Sequence, residues 1–339
     1  MEVVPIKDLL FFKRKMSQKK IVTIGGGTGS YTVLSGLKKY DVNITAVVSM
    51  ADDGGSTGRL RDELGVLPPG DVRQCLVALS KQTKALRDLF NYRFESGQLK
   101  GHSMGNIFLS AAEKMEGDFS EGLKTVGKIL NIKGLVLPVT EDDVNLIMKL
   151  KNGEVLKGQN EINHNFEIQK TGIEKIYLEP KASPNQEAIA KIKEADIIII
   201  GPGNHYCSVI PNLIVEGIPE AISKSKAQVI YISNLVNKNG HTDDFSLSDY
   251  VESINSFFLK PRIDKVLFNT TEPSEKLKEK YKSQGENLIK FGEVDCEVIK
   301  ADILSRIEPK YSKSDSISEM RSFIRHDSDK LVKEILKII

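Results

Sequence analysis

The chain has 339 residues, enough to bury a substantial core in one large unit or two ordinary ones. With 40% hydrophobic and 28% charged residues it reads as globular, and no apolar run approaches the ~18 residues of a membrane-spanning helix, which excludes disorder and membrane insertion. A formal net charge of +2 gives no electrostatic reason to expect nucleic acid as a partner, and the scattered Cys75, Cys207 and Cys296 form no metal or redox pair and suit a reducing cytosol.

In chain order, residues 1–19 read as a loose extension. Its "LLFFKRK" has an apolar patch ahead of basic residues, the reverse of a secretory signal, and Met16 is an alternative start. A short amphipathic surface anchor is the other reading of that patch. Next, "KIVTIGG", "ITAVVSM", "IEKIYLEP", "ADIIIIGPG", "AQVIYISN" and "KVLFNTT" read as strands, several apolar at every position as strands covered on both faces are. Helical patterns fall between them, over residues 31–39, 72–79, 107–115, 185–194 and 250–258. In "NLIMKLKNGEVLKGQNEI", Asn152-Gly153 between alternating runs predicts a hairpin, so residues 141–180 are read as an antiparallel excursion. No repeat, low-complexity tract or linker interrupts residues 20–339. They are read as one domain: a doubly wound, mostly parallel, Rossmann-like α/β sheet with helices on both faces, the β-hairpin excursion, and a C-terminal helical element over 273–339.

Ligands of such sheets bind beyond the carboxyl ends of the strands, so the loops there carry the functional argument. The first is Gly25-Gly26-Gly27-Thr28-Gly29-Ser30, where glycines let the backbone approach an anion and the next helix turns free N–H groups toward it. Gly25-x-Gly27 begins a dinucleotide fingerprint, but Ser30 stands where glycine or alanine would complete it, and no Gly-Lys-Ser/Thr follows. Phosphate binding is favoured over nicotinamide; a tight turn without a ligand is the alternative. The second loop, "SMADDGGSTGRLR", places Asp52 and Asp53 before Gly54 and Gly55, a pattern able to hold Mg²⁺ against phosphate oxygens, with Ser56, Thr57 and Arg59 as donors to a second anion. An Asx-type turn with solvated acids explains the same residues more simply. In "PPGDVRQCL", Asp71 and Gln74 resemble a capping box, which leaves Arg73 unexplained on the first turn. "KGHSMGNIFL" adds His102 and Asn106, "IIIIGPGNHYCSVIPNL" adds Gly201, Gly203, Asn204 and Asn212, and "YISN" ends on Asn234.

Together "IGGGTGSYTVLSGLK", "VVSMADDGGSTGRLR", "PPGDVRQCLVAL", "GHSMGNIFL", "GPGNHYCSVIPNL" and the late "RHD" at Arg325–Asp327 resemble the YvcK-like, gluconeogenesis-factor branch of the 2-phospho-L-lactate transferase (CofD-like) superfamily, from about Lys20 to Leu331. The resemblance implies a cytoplasmic protein that binds a UDP-sugar or related nucleotide and supports gluconeogenic growth, cell-wall homeostasis and cell shape. It implies Thr28 and the glycine loop at the ligand and Arg325 as a partner of the nucleotide sugar. Homodimeric or higher homo-oligomeric assembly and regulatory protein partners are expected with it, and no flavin or nicotinamide. The transferase branch instead implies Mg²⁺-dependent transfer of a phospholactyl group from a diphosphonucleotide donor. Departures fall where the base or sugar is expected: the family usually has Ser-Leu-Tyr-Thr-Ser after Gly-Pro-Gly, whereas this chain has Asn204-His205-Tyr206-Cys207-Ser208, and His241 replaces a glutamate. Ser328 follows "RHD" where members of the branch carry threonine, and it could accept a phosphate.

Overall fold

A computed structural model describes residues 19–307 and 322–339, so the expected N-terminal extension lies outside the described residues, apart from Lys19. Among the described residues ten strands follow in chain order: β1 (Lys20–Gly25), β2 (Asn43–Val48), β3 (Leu135–Pro138), β4 (Asn145–Leu150), β5 (Val155–Lys157), β6 (Ile173–Glu179), β7 (Ile197–Ile200), β8 (Gln228–Ile232), β9 (Lys265–Asn269) and β10 (Glu297–Ala301). Seven form one sheet in the order β10-β9-β8-β7-β1-β2-β3, with every neighbouring pair parallel. Parallel strands need crossovers, and the helices that supply them cover both faces. β7 shows why its sequence is apolar throughout: Ile198 and Ile200 belong to the core on one face, Ile197 and Ile199 to the core on the other.

Strand order reverses beside β1, because the chain runs outward from β1 through β2 to β3 and returns to β7 on the opposite side. Loops leaving β1 and β7 therefore diverge and open a crevice between them, the usual ligand position in this architecture. The antiparallel excursion forms a second sheet in the order β5-β4-β6, with the β4–β5 turn at Asn152-Gly153, where Gly153 takes φ +91°. "IEKIYLEP" belongs to this small sheet as β6, antiparallel to β4, as the reading of residues 141–180 as an antiparallel excursion expects. Two short helices not foreseen by the hairpin pattern, Gln159–His164 and Ile168–Thr171, complete the excursion.

The C-terminal element is more than helical. β10 pairs with β9 at the sheet edge, and residues 303–305 bond with 325–327 on the way to the last helix, Ser328–Lys337. That helix packs on the one that follows the glycine loop: a Cβ at Gly36 would lie 2.4 Å from the Ser328 carbonyl oxygen and 2.5 Å from Val332 Cγ2. The tail is thereby tied to the first βα unit, and Arg325 is brought back to the crevice.

Candidate functional site

A cleft of about 620 Å³ opens at the carboxyl ends of the central strands. Three helices start at its wall: Gly27–Leu37, Gly55–Leu64 and Gly70–Leu79. Their N-cap positions are Gly26, Gly54 and Pro69, and no cap side chain accepts from the first turn in any of them. Each first turn thus brings backbone N–H groups and the positive end of its dipole to the wall of the same space. Some other helices are capped by side chains: Ser103 Oγ accepts from Asn106 N at 3.2 Å, and Asp327 Oδ1 accepts from Asp329 N and Lys330 N, both at 2.9 Å. The capping box expected at Asp71 does not form, because the helix begins earlier, at Gly70, and Asp71 lies inside its first turn beside the glycine loop.

Close packing explains part of that loop. A Cβ at Gly29 would stand 1.7 Å from the Pro202 carbonyl oxygen, and one at Gly27 would stand 2.4 Å from both Asp71 Oδ1 and Gln74 Nε2. These glycines let the β1 loop meet the β7 loop and the Gly70 helix. Gly54 differs, since its nearest atom would be Asp52 Oδ1 at 3.4 Å, an ordinary contact. Thr28 faces the cleft and donates to Gln74 Oε1 at 3.1 Å. Ser30 turns inward beside the Cys75 thiol, so it and Gly26 stand behind the wall.

The paired aspartates part company. Asp52 lines the cleft, and its Oδ1 accepts from Gly54 N at 3.0 Å in a tight turn. Asp53 faces the excursion: its Oδ1 accepts from Asn160 N at 2.7 Å, and its Oδ2 fills the space where a Gly158 side chain would begin, 1.8 Å from that Cβ position. Burial pushes the Asp53 carboxyl above the usual carboxylate range, against the lowering effect of the Asn160 bond. The two carboxylates do not face one ion, which corrects the expectation of a paired Mg²⁺ site. Among the described residues no group of three or more His, Cys, Asp or Glu could hold a metal. Mg²⁺ held mainly by phosphate and water needs only one or two carboxylates, and Asp52 is placed to supply one.

Beneath the cleft floor runs a polar chain. Arg73 Nε donates to Asn106 Oδ1 at 2.9 Å, Asn106 Nδ2 donates to Ser56 Oγ at 3.3 Å, and Ser56 Oγ meets His102 Nδ1 at 3.0 Å. Arg73, Asn106 and Ser56 reach the cleft, whereas His102 stands behind Ser56 and is kept neutral by burial and by the Arg59 charge. Arg59 points away and donates to the Lys100 carbonyl at 3.0 Å, so it is no anion ligand here. Asn212 is also displaced: fully buried, it donates to the carbonyls of Gly25 and Ser208 at 3.3 and 2.8 Å and pins the β1 loop to the chain after β7. Gly201 continues β7, its N–H bonded to the Ile24 carbonyl at 2.9 Å.

The other end of the cleft is built from side chains. Asn234 clamps Gly203, accepting from its N–H at 3.0 Å and donating to its carbonyl at 2.8 Å. Asn204 accepts from Cys207 N at 3.2 Å, opening a π-helical turn at His205–Val209, and donates to Asn163 Oδ1 at 2.7 Å. Arg325 arrives from the tail, its Nε donating to the Ser322 carbonyl at 3.1 Å. Tyr281 holds that segment by accepting from Phe323 N at 2.7 Å and Ile324 N at 3.3 Å. Three imidazoles face this end, with burial lowering His205 to about 3 and His241 and His326 to about 4, so all are uncharged at neutral pH. Sequence reasoning did not assign Asn163, Phe166, Lys238, Tyr281 or Glu286 to the site. They come from the excursion and the C-terminal third, where no strand-end motif marks them.

Comparison with known proteins agrees with the motifs. The family model described as 2-phospho-L-lactate transferase CofD matches residues 21–306. The chain is 42% identical to the "Putative gluconeogenesis factor" of Clostridium acetobutylicum, over 98% of this chain and 72% of that protein. It is 43% identical to the protein of the same name from Thermotoga maritima, over 94% of this chain and 99% of the other. A crystal structure of a UPF0052-family protein from Bacillus halodurans superposes with a TM-score of 0.84 at 36% identity, covering 95% of this chain and 99% of that one. No helix among the described residues is long and apolar enough to cross a membrane.

Proposed function

The chain belongs to the 2-phospho-L-lactate transferase (CofD) family, among its gluconeogenesis-factor members, and from that premise we propose that it binds a nucleotide sugar of the UDP-hexose class as a cytoplasmic regulator of gluconeogenic growth and cell-wall homeostasis. The observation that carries the binding half is the convergence of three uncapped helix starts on one cleft. Such starts favour phosphate oxygens, and more than one of them suits a diphosphate better than a single phosphate. Arg73 and Arg325 line the same space and add positive charge. The link to gluconeogenesis rests on the name that the relatives carry, and the regulatory and cell-wall roles on the family resemblance.

A second reading keeps the family's chemistry: transfer of a phosphoryl-linked group from a diphosphonucleotide donor with Mg²⁺. The CofD match over residues 21–306 and the Asp52 carboxylate in the cleft favour it. One experiment separates the readings. Melting temperatures are measured with UDP-N-acetylglucosamine, GDP, ATP and NAD, where a ligand at 100 times its Kd stabilises by ~2.7 kcal/mol. The uridine compound is expected to give the largest shift; stabilisation by NAD and by no uridine nucleotide would overturn the proposal. Phosphorus NMR of the same mixtures with Mg²⁺ tests turnover: water is the acceptor present, so nucleoside monophosphate accumulating together with the sugar phosphate would mark cleavage of the diphosphate bond, which a pure binding protein does not carry out.

A further inference from the structure

The hydrogen-bonded chain from Arg73 to His102 has a direction, and elementary chemistry sets it. A guanidinium only donates, so Arg73 Nε, 2.9 Å from Asn106 Oδ1, fixes which way that amide faces. Asn106 Nδ2 therefore donates to Ser56 Oγ, at 3.3 Å. Ser56 has a single hydroxyl proton, and His102 Nδ1, 3.0 Å from the oxygen, accepts it. The imidazole is uncharged, held so first by burial and then by the Arg59 charge, so its nitrogen has a lone pair to offer. A hydroxyl whose proton points at a neutral imidazole is the arrangement of a nucleophile and its base.

The frame around this pair is fixed. His102 N donates to the Leu99 carbonyl at 2.9 Å, and its own carbonyl accepts from Phe94 N at 3.0 Å. Asn106 lies in the first turn of the helix Met104–Glu116, and Arg73 is held a second time by Asn91 Oδ1, at 2.6 Å. Gly105 lets the helices close up: a Cβ there would lie 2.5 Å from the Phe90 carbonyl oxygen and 2.6 Å from Arg73 Cδ. Ser56 lines the cleft on the first turn of the helix Gly55–Leu64, while His102 is buried behind it. The hydroxyl thus stands between its base and the space where a diphosphate is proposed to lie.

We propose that Ser56 is a nucleophile toward the diphosphate bond of the bound nucleotide sugar, with His102 as its general base. This rests on the proposed binding of such a compound and adds an activity to it. In the first step Ser56 Oγ bonds to the phosphorus nearer the sugar, and the bond from that phosphorus to the bridging oxygen breaks. The bridging oxygen leaves with its electron pair as part of the nucleoside monophosphate. The sugar phosphate stays on Ser56, and the serine proton passes to His102 Nδ1. The Glu63 charge favours the imidazolium so formed. In the second step water attacks the same phosphorus. Ser56 Oγ leaves and takes its proton back from His102, the surplus proton of the water goes to solvent, and free sugar phosphate departs.

The test is label exchange on the full chain, with Mg²⁺, unlabelled UDP-N-acetylglucosamine, radiolabelled UMP and no added acceptor. A sugar phosphate held on serine can be returned to UMP, so label should enter the nucleotide sugar. Acid-quenched protein should carry a phospho-N-acetylglucosamine group on the peptide containing Ser56. Ser56→Ala should lose the exchange while binding UDP-N-acetylglucosamine within about tenfold of the wild type by calorimetry. His102→Gln can still accept from the hydroxyl but cannot take up its proton, and should slow the exchange ~10²–10⁴-fold. Should Ser56→Ala fold poorly, the exchange rate of His102→Gln and the peptide map of the wild type decide the assignment. A wild type that binds the nucleotide sugar but exchanges no label overturns the assignment and leaves the binding reading standing. Exchange that survives in Ser56→Ala overturns it too, and a wild type that binds no UDP-N-acetylglucosamine overturns the binding reading with it.

Discussion

The two ends of the cleft are made of different material. At one end the wall is backbone: helices starting at Gly27, Gly55 and Gly70 present amide groups directly after strands β1 and β2 and at the head of the next helix. At the other end the wall is side chains, gathered from residues 159–166, 237–242 and 322–326, which are remote in sequence. Backbone amides recognise phosphate whatever residues carry them, provided nothing blocks the approach. Side chains recognise what their own chemistry allows. Affinity for a diphosphate is therefore expected from the first end and discrimination among nucleotide sugars from the second.

The sharpest way to break the first end is to fill it. Gly29→Ala places a methyl 1.7 Å from the Pro202 carbonyl oxygen, a backbone atom that cannot swing aside. Overpacking of this kind costs ~1–3 kcal/mol and more where backbone must move, so this variant is expected at the top of that range by urea denaturation. Gly54→Ala is the control, because its methyl would meet only Asp52 Oδ1 at 3.4 Å and Gly54 has an ordinary φ of −84°. It should fold like the wild type and lose affinity for UDP if the ligand approaches that backbone. Equal stability of the two variants would mean that the contact between the β1 and β7 loops does not hold this end together.

Arg325 sharpens the comparison from the other side. Its guanidinium lines the cleft but enters from the tail, so it should matter to binding far more than to folding. Losing a charge-assisted bond costs ~1.5–3 kcal/mol, which for Arg325→Ala predicts roughly ten- to a hundredfold weaker binding of a UDP-sugar. Calorimetry beside the melting temperature of the free protein checks it. Unchanged affinity would remove Arg325 from the site, and a large loss of unliganded stability would make it a packing residue.

The same division decides what could be read from sequence. Parallel strands were legible because burial on both faces leaves runs such as Ile197–Ile200, and the Asn152-Gly153 hairpin because its turn chemistry is local. The strand-end loops were legible for the same reason, and thirteen of the twenty residues assigned from sequence do line the cleft. β3 and β10 were not anticipated: four residues ending in proline, and a half-exposed edge strand, carry little periodic signal. Asp53, Arg59 and Asn212 were misplaced because a motif gives the residue but not its direction. Asp53 turns to Asn160, Arg59 to Lys100 and Asn212 to Gly25, partners 107, 41 and 187 positions away. Nothing local marks Tyr281 either, whose role depends on a tail segment more than forty residues later, at Phe323 and Ile324.

A smaller effect is expected at Asp52. If it meets phosphate-bound Mg²⁺, Asp52→Asn should weaken nucleotide binding a few-fold when Mg²⁺ is present and leave metal-free binding nearly unchanged, because Asn keeps an oxygen for the Gly54 N–H but gives up the charge that favours a hard cation. Asp53→Asn should show no such metal dependence. Equal weakening of both variants with and without Mg²⁺ would return the pair to the role of a turn.

The least effect is expected from Asp53, and it appears in stability rather than binding. Burial raises the carboxyl's pKa in the folded protein, while the Asn160 N–H and the Arg61 charge lower it and the Asp62 charge raises it further, leaving a net upward shift. A folded state that holds its proton more tightly than the unfolded chain is favoured at low pH, and that advantage is lost as the pH rises through the folded-state pKa. Asn cannot titrate, and its side-chain oxygen can still accept from Asn160. The wild type should therefore lose stability relative to Asp53→Asn as the pH rises through the ordinary carboxylate range and on through the raised folded-state pKa, and the difference should stay level once the folded carboxyl has ionised. Urea titrations of both proteins across that range measure it, with the ligand omitted so that binding does not enter. A wild type that instead gains on the variant as the pH rises would mean that the Asn160 bond outweighs burial, and that the ionised Asp53 fastens the excursion to the cleft.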